Sequence, residues 1–385
     1  MIDWKKSLAT LVLCAAGAGA AIAQEPIKLG GLLETSGFIA SLGQPALEGA
    51  QLAVEQVNTA GGINGRKVEL VNLNTESDNT KTVSALRRLI SQEKVVGIVG
   101  PSSSGSNFAI VDAVERAKVP MIGIGATRGI VLPPEQRRYS FLAPLTDVVV
   151  ETVMLEDMRA RGITRIAMLH SDVAFGTSAR DTLLQLAPKH GITVVSTEVF
   201  GNADTDMTPQ ITKIRGTEAQ AVVIWATGPG LAISTKNYRA LGLKQPLYLT
   251  HAANDFNYLR LAGEAANGAL LPSSKIYVTA ELPAGDAQKP VLEQFVKAYE
   301  AKYGKQPATF AGNGYDAAML LMNAVRKAGD QPSAVRDALE QVSNYVGVTA
   351  VYAYGPEDHF GTKPESVQML VVDNGKFKLA AKAAN

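Results

Sequence analysis

The sequence predicts an α/β chain built on parallel-type sheets and arranged in two similar halves. Three observations carry this. Short apolar runs alternate with stretches of helical period roughly 10–15 residues long, the signature of βαβ units. Each apolar run ends in a turn of small polar residues. After an irregular stretch around Arg128–Tyr139, which contains Pro133-Pro134, the alternation begins again.

The elements follow in order. Ile27–Leu33 is a strand run that ends in Glu34-Thr35-Ser36-Gly37. Between Pro45 and Thr59, Leu47, Ala50, Val54 and Val57 share one helical face. Gly61-Gly62-Ile63-Asn64-Gly65 stops that helix and turns into a strand, Val68–Leu73. Thr80–Glu93 reads as a second helix with Val83, Leu86 and Ile90 inward. The strand Val95–Val99 leads through Gly100-Pro101-Ser102-Ser103-Ser104-Gly105 to a helix expected from about Asn107 to Ala117. Val119–Ile124 closes the first set. The second set has helices near Val148–Arg161, Gly176–Lys189, Thr208–Arg215 and Ala232–Leu241. Its strands are Arg165–Leu169, Thr193–Val199, Ala221–Ala226 and Leu247–Thr250. Beyond Pro272 come helices Val291–Tyr303, Gly314–Ala328 and Ser333–Gln341, then strands near Val348–Tyr354 and Gln368–Val372. No flexible tether separates the two sets, so they are joined by crossings of ordered chain.

Composition bounds the function. A chain of 385 residues suggests two domains. With 37 basic and 36 acidic residues the net charge is +1, which excludes the basic footprint of a dedicated nucleic-acid binder. The single cysteine excludes a disulfide framework and any multi-cysteine metal site, and the four histidines, at 170, 190, 251 and 359, are scattered. No metal and no cofactor are expected. Residues 1–23 have the form of a secretory leader. Lys5 and Lys6 precede the apolar run Leu8–Ala16, and Ala21-Ile22-Ala23 supplies a small-x-small cleavage site. Leu13 stands where a lipobox around Cys14 needs a small residue. The leader implies work in the periplasm, away from cytosolic ATP and NAD.

No nucleophile elbow, zinc-protease helix, paired-cysteine motif or phosphate-binding P-loop occurs. Gly123-Ile124-Gly125 with Gly129 has the wrong spacing for a dinucleotide loop. The informative features are the polar turns at strand ends, because open α/β sheets bind ligands at the carboxyl ends of their strands. These turns are Thr35–Gly43, Gly100–Ser106, Gly125–Arg128, Ser171–Gly176, Thr227–Gly230 and His251–Asp255. A helix starting near Asn107 would aim free N–H groups at Ser102–Ser104 and attract a carboxylate. The competing reading of those serines is helix capping alone.

Gly61-Gly62-Ile63-Asn64-Gly65-Arg66-Lys67-Val68-Glu69-Leu70 closely resembles the early motif of periplasmic substrate-binding proteins of the branched-chain amino acid, leucine-binding type. Val95-Val96-Gly97-Ile98-Val99-Gly100-Pro101-Ser102-Ser103-Ser104 does so too, and His170-Ser171-Asp172-Val173-Ala174-Phe175-Gly176 matches the family's middle loop. Ala262-Gly263-Glu264-Ala265-Ala266-Asn267-Gly268 and Gly314-Tyr315-Asp316-Ala317-Ala318 match later landmarks. The resemblance runs in order from about Ile27 to the C-terminus.

The resemblance implies the type I periplasmic binding fold: two Rossmann-like lobes joined by three hinge crossings, near Leu142–Pro144, Gly268–Ser273 and Gly347–Tyr352. Lobe one would be 24–143 plus 273–348, and lobe two 144–272 plus 349–385. A ligand would lie between the lobes, which close on it. The implied site residues are Phe38 and Ser41 in the opening loop, and Ser102 or Ser103 in the first polar turn. Gly125, Ala126 and Thr127 follow in the second turn, then Phe175 where amino-acid binders often carry a covering tyrosine, and Thr227. His251 falls near the position of an acidic partner for a ligand ammonium, and Asp255 is the alternative. The implied role is a monomeric, non-enzymatic receptor that delivers a small carboxylate to the permease subunits of an ABC importer at the inner membrane. With a carboxylate pole present and the ammonium pole reduced, the expected ligand is an aromatic or other organic acid. The alternatives are a branched-chain or other aliphatic amino acid, and a periplasmic ligand sensor of the same fold.

Overall fold

The computed structural model describes residues 25–381, so the expected leader, residues 1–23, lies outside the described residues. The first lobe is laid down by β1 (Ile27–Gly31), α1 (Ala40–Thr59), β2 (Val68–Asn72), α2 (Asn79–Arg88), β3 (Ile98–Val99), α3 (Ser104–Ala117), β4 (Met121–Gly123) and β5 (Ser140–Leu142). These strands form a five-stranded sheet in the order β2-β1-β3-β4-β5, parallel throughout. Ile98, Val99, Met121 and Ile122 are buried, which explains the unbroken apolar runs: a parallel sheet is covered on both faces.

The second lobe contains α4 (Asp147–Ala160), β6 (Arg165–Ser171), α5 (Ala174–Leu186), β7 (Thr193–Phe200), α6 (Thr208–Arg215), β8 (Ala221–Trp225), α7 (Gly228–Ala240), β9 (Leu247–Leu249), α8 (Phe256–Ala262) and β10 (Leu270–Ser273). The chain then returns to the first lobe as α9 (Lys289–Tyr303), α10 (Thr309–Ala328) and α11 (Pro332–Leu339). A small hairpin, β11 (Tyr345–Val346) with β12 (Val351–Tyr352), follows. Finally β13 (Gln368–Asp373) and β14 (Lys376–Leu379) join the second sheet, a seven-stranded array in the order β14-β13-β10-β9-β8-β6-β7. Its last two strands are antiparallel. Their turn, Asn374-Gly375, has positive φ at both residues (48° and 71°), as a two-residue hairpin requires.

Helix α10 packs on α1 at backbone distance. A Cβ on Gly314 would come within 1.9 Å of the Ala46 carbonyl, and one on Gly49 within 1.8 Å of the Ala311 carbonyl. Only glycine permits this approach from both sides.

Four helices begin three or more residues earlier than the periodicity implies. α1 starts at Ala40 instead of Pro45, α3 at Ser104 instead of Asn107, α7 at Gly228 instead of Ala232, and α10 at Thr309 instead of Gly314. Their first turns carry small or cleft-facing residues, so an apolar stripe cannot mark them. Helix α8 was not anticipated; Asp255 caps it by accepting from the Asn257 N–H at 3.0 Å.

The third crossing lies later than Gly347–Tyr352. Those residues belong to the β11–β12 hairpin, which Asp316 of α10 anchors: its carboxylate accepts from the N–H groups of Val348 (2.8 Å) and Thr349 (2.7 Å) and from the Thr349 hydroxyl (2.6 Å). The following segment still lies along β5. The Tyr354 hydroxyl donates to the Leu142 carbonyl at 2.6 Å, and the Leu142 N–H donates to the His359 carbonyl at 3.0 Å. The chain leaves the first lobe beyond Gly361, on its way to β13.

Candidate functional site

Loops at the carboxyl ends of strands from both sheets enclose a cavity of about 550 Å³. The first lobe contributes Phe38, Ile39 and Leu42 after β1, Ser77–Thr80 after β2, Ser102–Gly105 after β3, and Ile124 and Ala126 after β4. Phe310, from the first turn of α10, closes one side. The second lobe contributes Val173–Phe175, Thr227, His251 and Ala252. Of the residues expected from the sequence, Phe38, Ser102, Ser103, Ala126, Phe175, Thr227 and His251 line this cavity. Ser41, Gly125 and Thr127 do not, and each stands behind the wall. The Thr127 hydroxyl donates to the Ser104 hydroxyl at 2.8 Å. Gly125 lets its loop press on α3, since a Cβ there would lie 2.9 Å from Ser104 Cα. Ser41 faces the carboxylate of Asp255.

The start of α3 corrects the expected carboxylate pole. The N–H groups of Ser102 and Ser103 are already taken by Glu34, whose carboxylate accepts them at 2.9 and 3.3 Å. Glu34 follows β1 and is fully buried, and that burial pushes its carboxyl above the ordinary carboxylate range. Ser103 is the N-cap of α3, its hydroxyl accepting from the Ser106 N–H at 3.0 Å. That leaves the N–H groups of Ser104 and Gly105, the first two helical residues, as donors with no intrahelical acceptor. Both residues line the cavity. The Ser102 hydroxyl lies beside Glu34 and is buried without a hydrogen bond of ordinary geometry.

On the opposite wall three rings meet edge to face or tilted: Phe175 with Trp225 at 5.6 Å, Phe175 with His251 at 5.6 Å, and Trp225 with His251 at 5.7 Å. Trp225 is fully buried directly behind the two cavity residues. Burial among these rings drives the His251 pKa down to about 3, so the imidazole is neutral. It therefore offers the cavity a polar edge without charge. Asp255 caps α8 and is absent from the lining. The carboxylate that does line the cavity is Asp78, an exposed residue at the rim that caps α2 by accepting from the Lys81 N–H at 2.8 Å. No lysine or arginine is among the lining residues. The walls are thus mostly apolar, with helix-end donors at one pole.

Sequence reasoning missed Glu34, Asp78, Leu42 and Phe310. Glu34 and Asp78 had a readable signal: each is an acid in a strand-end turn ahead of a helix. Leu42 and Phe310 had none, because an apolar residue in a first helical turn looks like core.

The family described as periplasmic binding protein matches residues 26–376. The chain belongs to that family. It is a type I periplasmic binding protein of the branched-chain amino acid group, and its curated relatives are binding proteins, not enzymes. Among them, the Leu/Ile/Val-binding protein homolog 7 of Brucella abortus (strain 2308) is 28% identical over 378 residues, covering 95% of this chain and 93% of that one. Two solved structures share the architecture. An extracellular ligand-binding receptor from Rhodopseudomonas palustris HaA2 superposes with a TM-score of 0.85 at 27% identity, covering 93% of this chain and all of that one. The branched-chain amino acid transporter substrate-binding protein LivJ of Streptococcus pneumoniae, in complex with isoleucine, superposes with a TM-score of 0.80 at 26% identity, covering 92% and 98%.

Proposed function

We propose that this protein is an exported receptor that captures a small carboxylate with an apolar body between its lobes and delivers it to an ABC importer, with an aliphatic amino acid of the leucine class as first ligand. The observation that carries this is the free Ser104 and Gly105 N–H pair opening into a largely apolar cavity. The helix end suits a carboxylate. Phe38, Ile39, Leu42, Val173, Phe175 and Phe310 suit a branched or flat hydrocarbon body. The relatives' names, Leu/Ile/Val-binding and LivJ with isoleucine, support the amino acid and reverse the order in which the sequence ranked the ligands. Asp78 at the rim is then the acid available to the ammonium.

One observation favours the second reading, an organic acid without an α-amino group. A buried ammonium needs a partner, and the groups on the inner wall are neutral, His251 among them. Titration calorimetry with leucine, isoleucine and valine against benzoate and phenylacetate decides between the two. Binding of the aliphatic amino acids alone supports the first reading, and binding of the aromatic acids alone supports the second. Binding of neither set overturns the carboxylate receptor.

A further inference from the structure

We infer that Glu34 makes ligand capture proton-linked: when a ligand carboxylate seats on the N-terminus of α3, Glu34 takes up a proton from solvent. The inference rests on the carboxylate reading above and concerns a residue outside the cavity lining. Glu34 lies directly behind that pole. Its two carboxylate oxygens hold the N–H groups of Ser102 and Ser103, and the next two residues offer the donors that remain. A bound carboxylate therefore adds a second negative charge to a helix end that already holds one. Two carboxylates sharing a desolvated site do not both stay ionised; one binds a proton.

Glu34 is the group placed to accept it. The residue is fully buried in the fold, and that burial already favours its neutral form. Among the described residues no charged side chain pairs with its carboxylate. On α1, Glu48 is held by Tyr299 and Lys305, and Glu55 by Lys302. Before α2, Asp78 is exposed at the rim, and Glu76 pairs with Lys81. Pro101–Asn107 carry no charge. Across the cleft stand neutral His251 and Asp255, the latter beside Ser41. The surroundings of the Glu34 carboxyl are serine and backbone. On protonation one carboxylate oxygen becomes a hydroxyl and gives up accepting the Ser103 N–H, the longer of the two bonds. No other covalent bond changes: one solvent proton is gained per seated carboxylate.

Two consequences distinguish this site from a plain helix-end anion site. Affinity rises as pH falls, by up to about tenfold per pH unit where a whole proton is taken up. A ligand of the same shape without a carboxylate shows no such dependence. The experiment is calorimetry on the full protein with L-leucine, and with benzoate, in phosphate and in Tris, whose ionisation enthalpies differ. The expected result is proton uptake in the wild type and none in Glu34→Gln, whose amide keeps an acceptor for Ser102. If that variant does not fold, the infrared difference spectrum of the wild type, with and without ligand, should gain a protonated-carboxyl band. Binding without proton uptake overturns this inference alone. Uptake that persists in Glu34→Gln puts the proton on another group of the site and also overturns it. Failure of both probes to bind overturns the carboxylate reading together with it.

Discussion

The hydroxyl of Thr127 donates to the hydroxyl of Ser104 at 2.8 Å, joining the loop after β4 to the first turn of α3. Both side chains are buried. The bond fixes the residue whose N–H is one of the two free donors of the cavity. Thr127→Val keeps the shape and removes the bond. Its expected effect is a loss of ligand affinity of about 0.5–1.5 kcal/mol with a smaller change in stability. Calorimetry beside thermal unfolding checks it, and unchanged affinity would show that Ser104 needs no such support.

Ser102 and Ser103 should separate. Ser103 caps α3, so Ser103→Ala lowers stability by roughly 0.5–2 kcal/mol. The Ser102 hydroxyl has no competing bond of ordinary geometry, so Ser102→Ala leaves stability nearly intact and weakens a carboxylate ligand. Denaturant unfolding and calorimetry on both variants test the pair. Normal binding by Ser102→Ala would remove that hydroxyl from the site.

His251 should make the protein acid-sensitive. Its pKa is about 3 in the fold and roughly 6.5 in the unfolded chain. As pH falls through that window the unfolded chain gains a proton that the folded one refuses, so stability falls. His251→Gln should flatten this part of the profile. Urea unfolding of both proteins between about pH 7 and about pH 4 measures the difference, and parallel profiles would place the acid sensitivity elsewhere.

Asp316 works in the opposite sense. Burial pushes its pKa up to about 6, against the lowering pull of the Thr349, Val348 and Tyr352 hydrogen bonds. Between about pH 4 and pH 6 the folded chain holds the proton longer, so this residue's contribution to stability declines as pH rises. Asp316→Asn loses an acceptor for the β11–β12 hairpin and is less stable at every pH. The gap to wild type should be widest below about pH 4 and should narrow as pH rises to about 6. A gap that widens with pH would contradict the assignment.

Much of the fold was legible because parallel strands buried on both faces leave unbroken apolar runs, and glycine turns such as Gly61–Gly65 mark where helices stop. The hairpin β13–β14 was half legible. Its first strand is legible in Gln368–Val372, and Asn374-Gly375 marks the turn that follows. The site was legible as a set of loops and less so as chemistry. Ser102 and Ser103 line the cavity, yet their N–H groups are held by Glu34, 68 and 69 positions away in sequence. No local pattern announces such a pairing, because it depends on β1 and β3 lying side by side. Thr127, Gly125 and Ser41 were one layer too deep for the same reason: a strand-end turn tells which loop faces a cleft, not which of its atoms do.

The antiparallel seat of β13 against β10 bears on how the protein is made. Translation delivers the chain in order, and β10 emerges long before the strand that covers its edge. All of α9, α10 and α11 must pass first, and these complete the other lobe. An unpaired strand edge on a half-made sheet invites mispairing with a neighbouring chain. Neither half can therefore be finished while the chain is still being delivered, and a nascent copy has to be kept from its neighbours until nearly the last residues arrive.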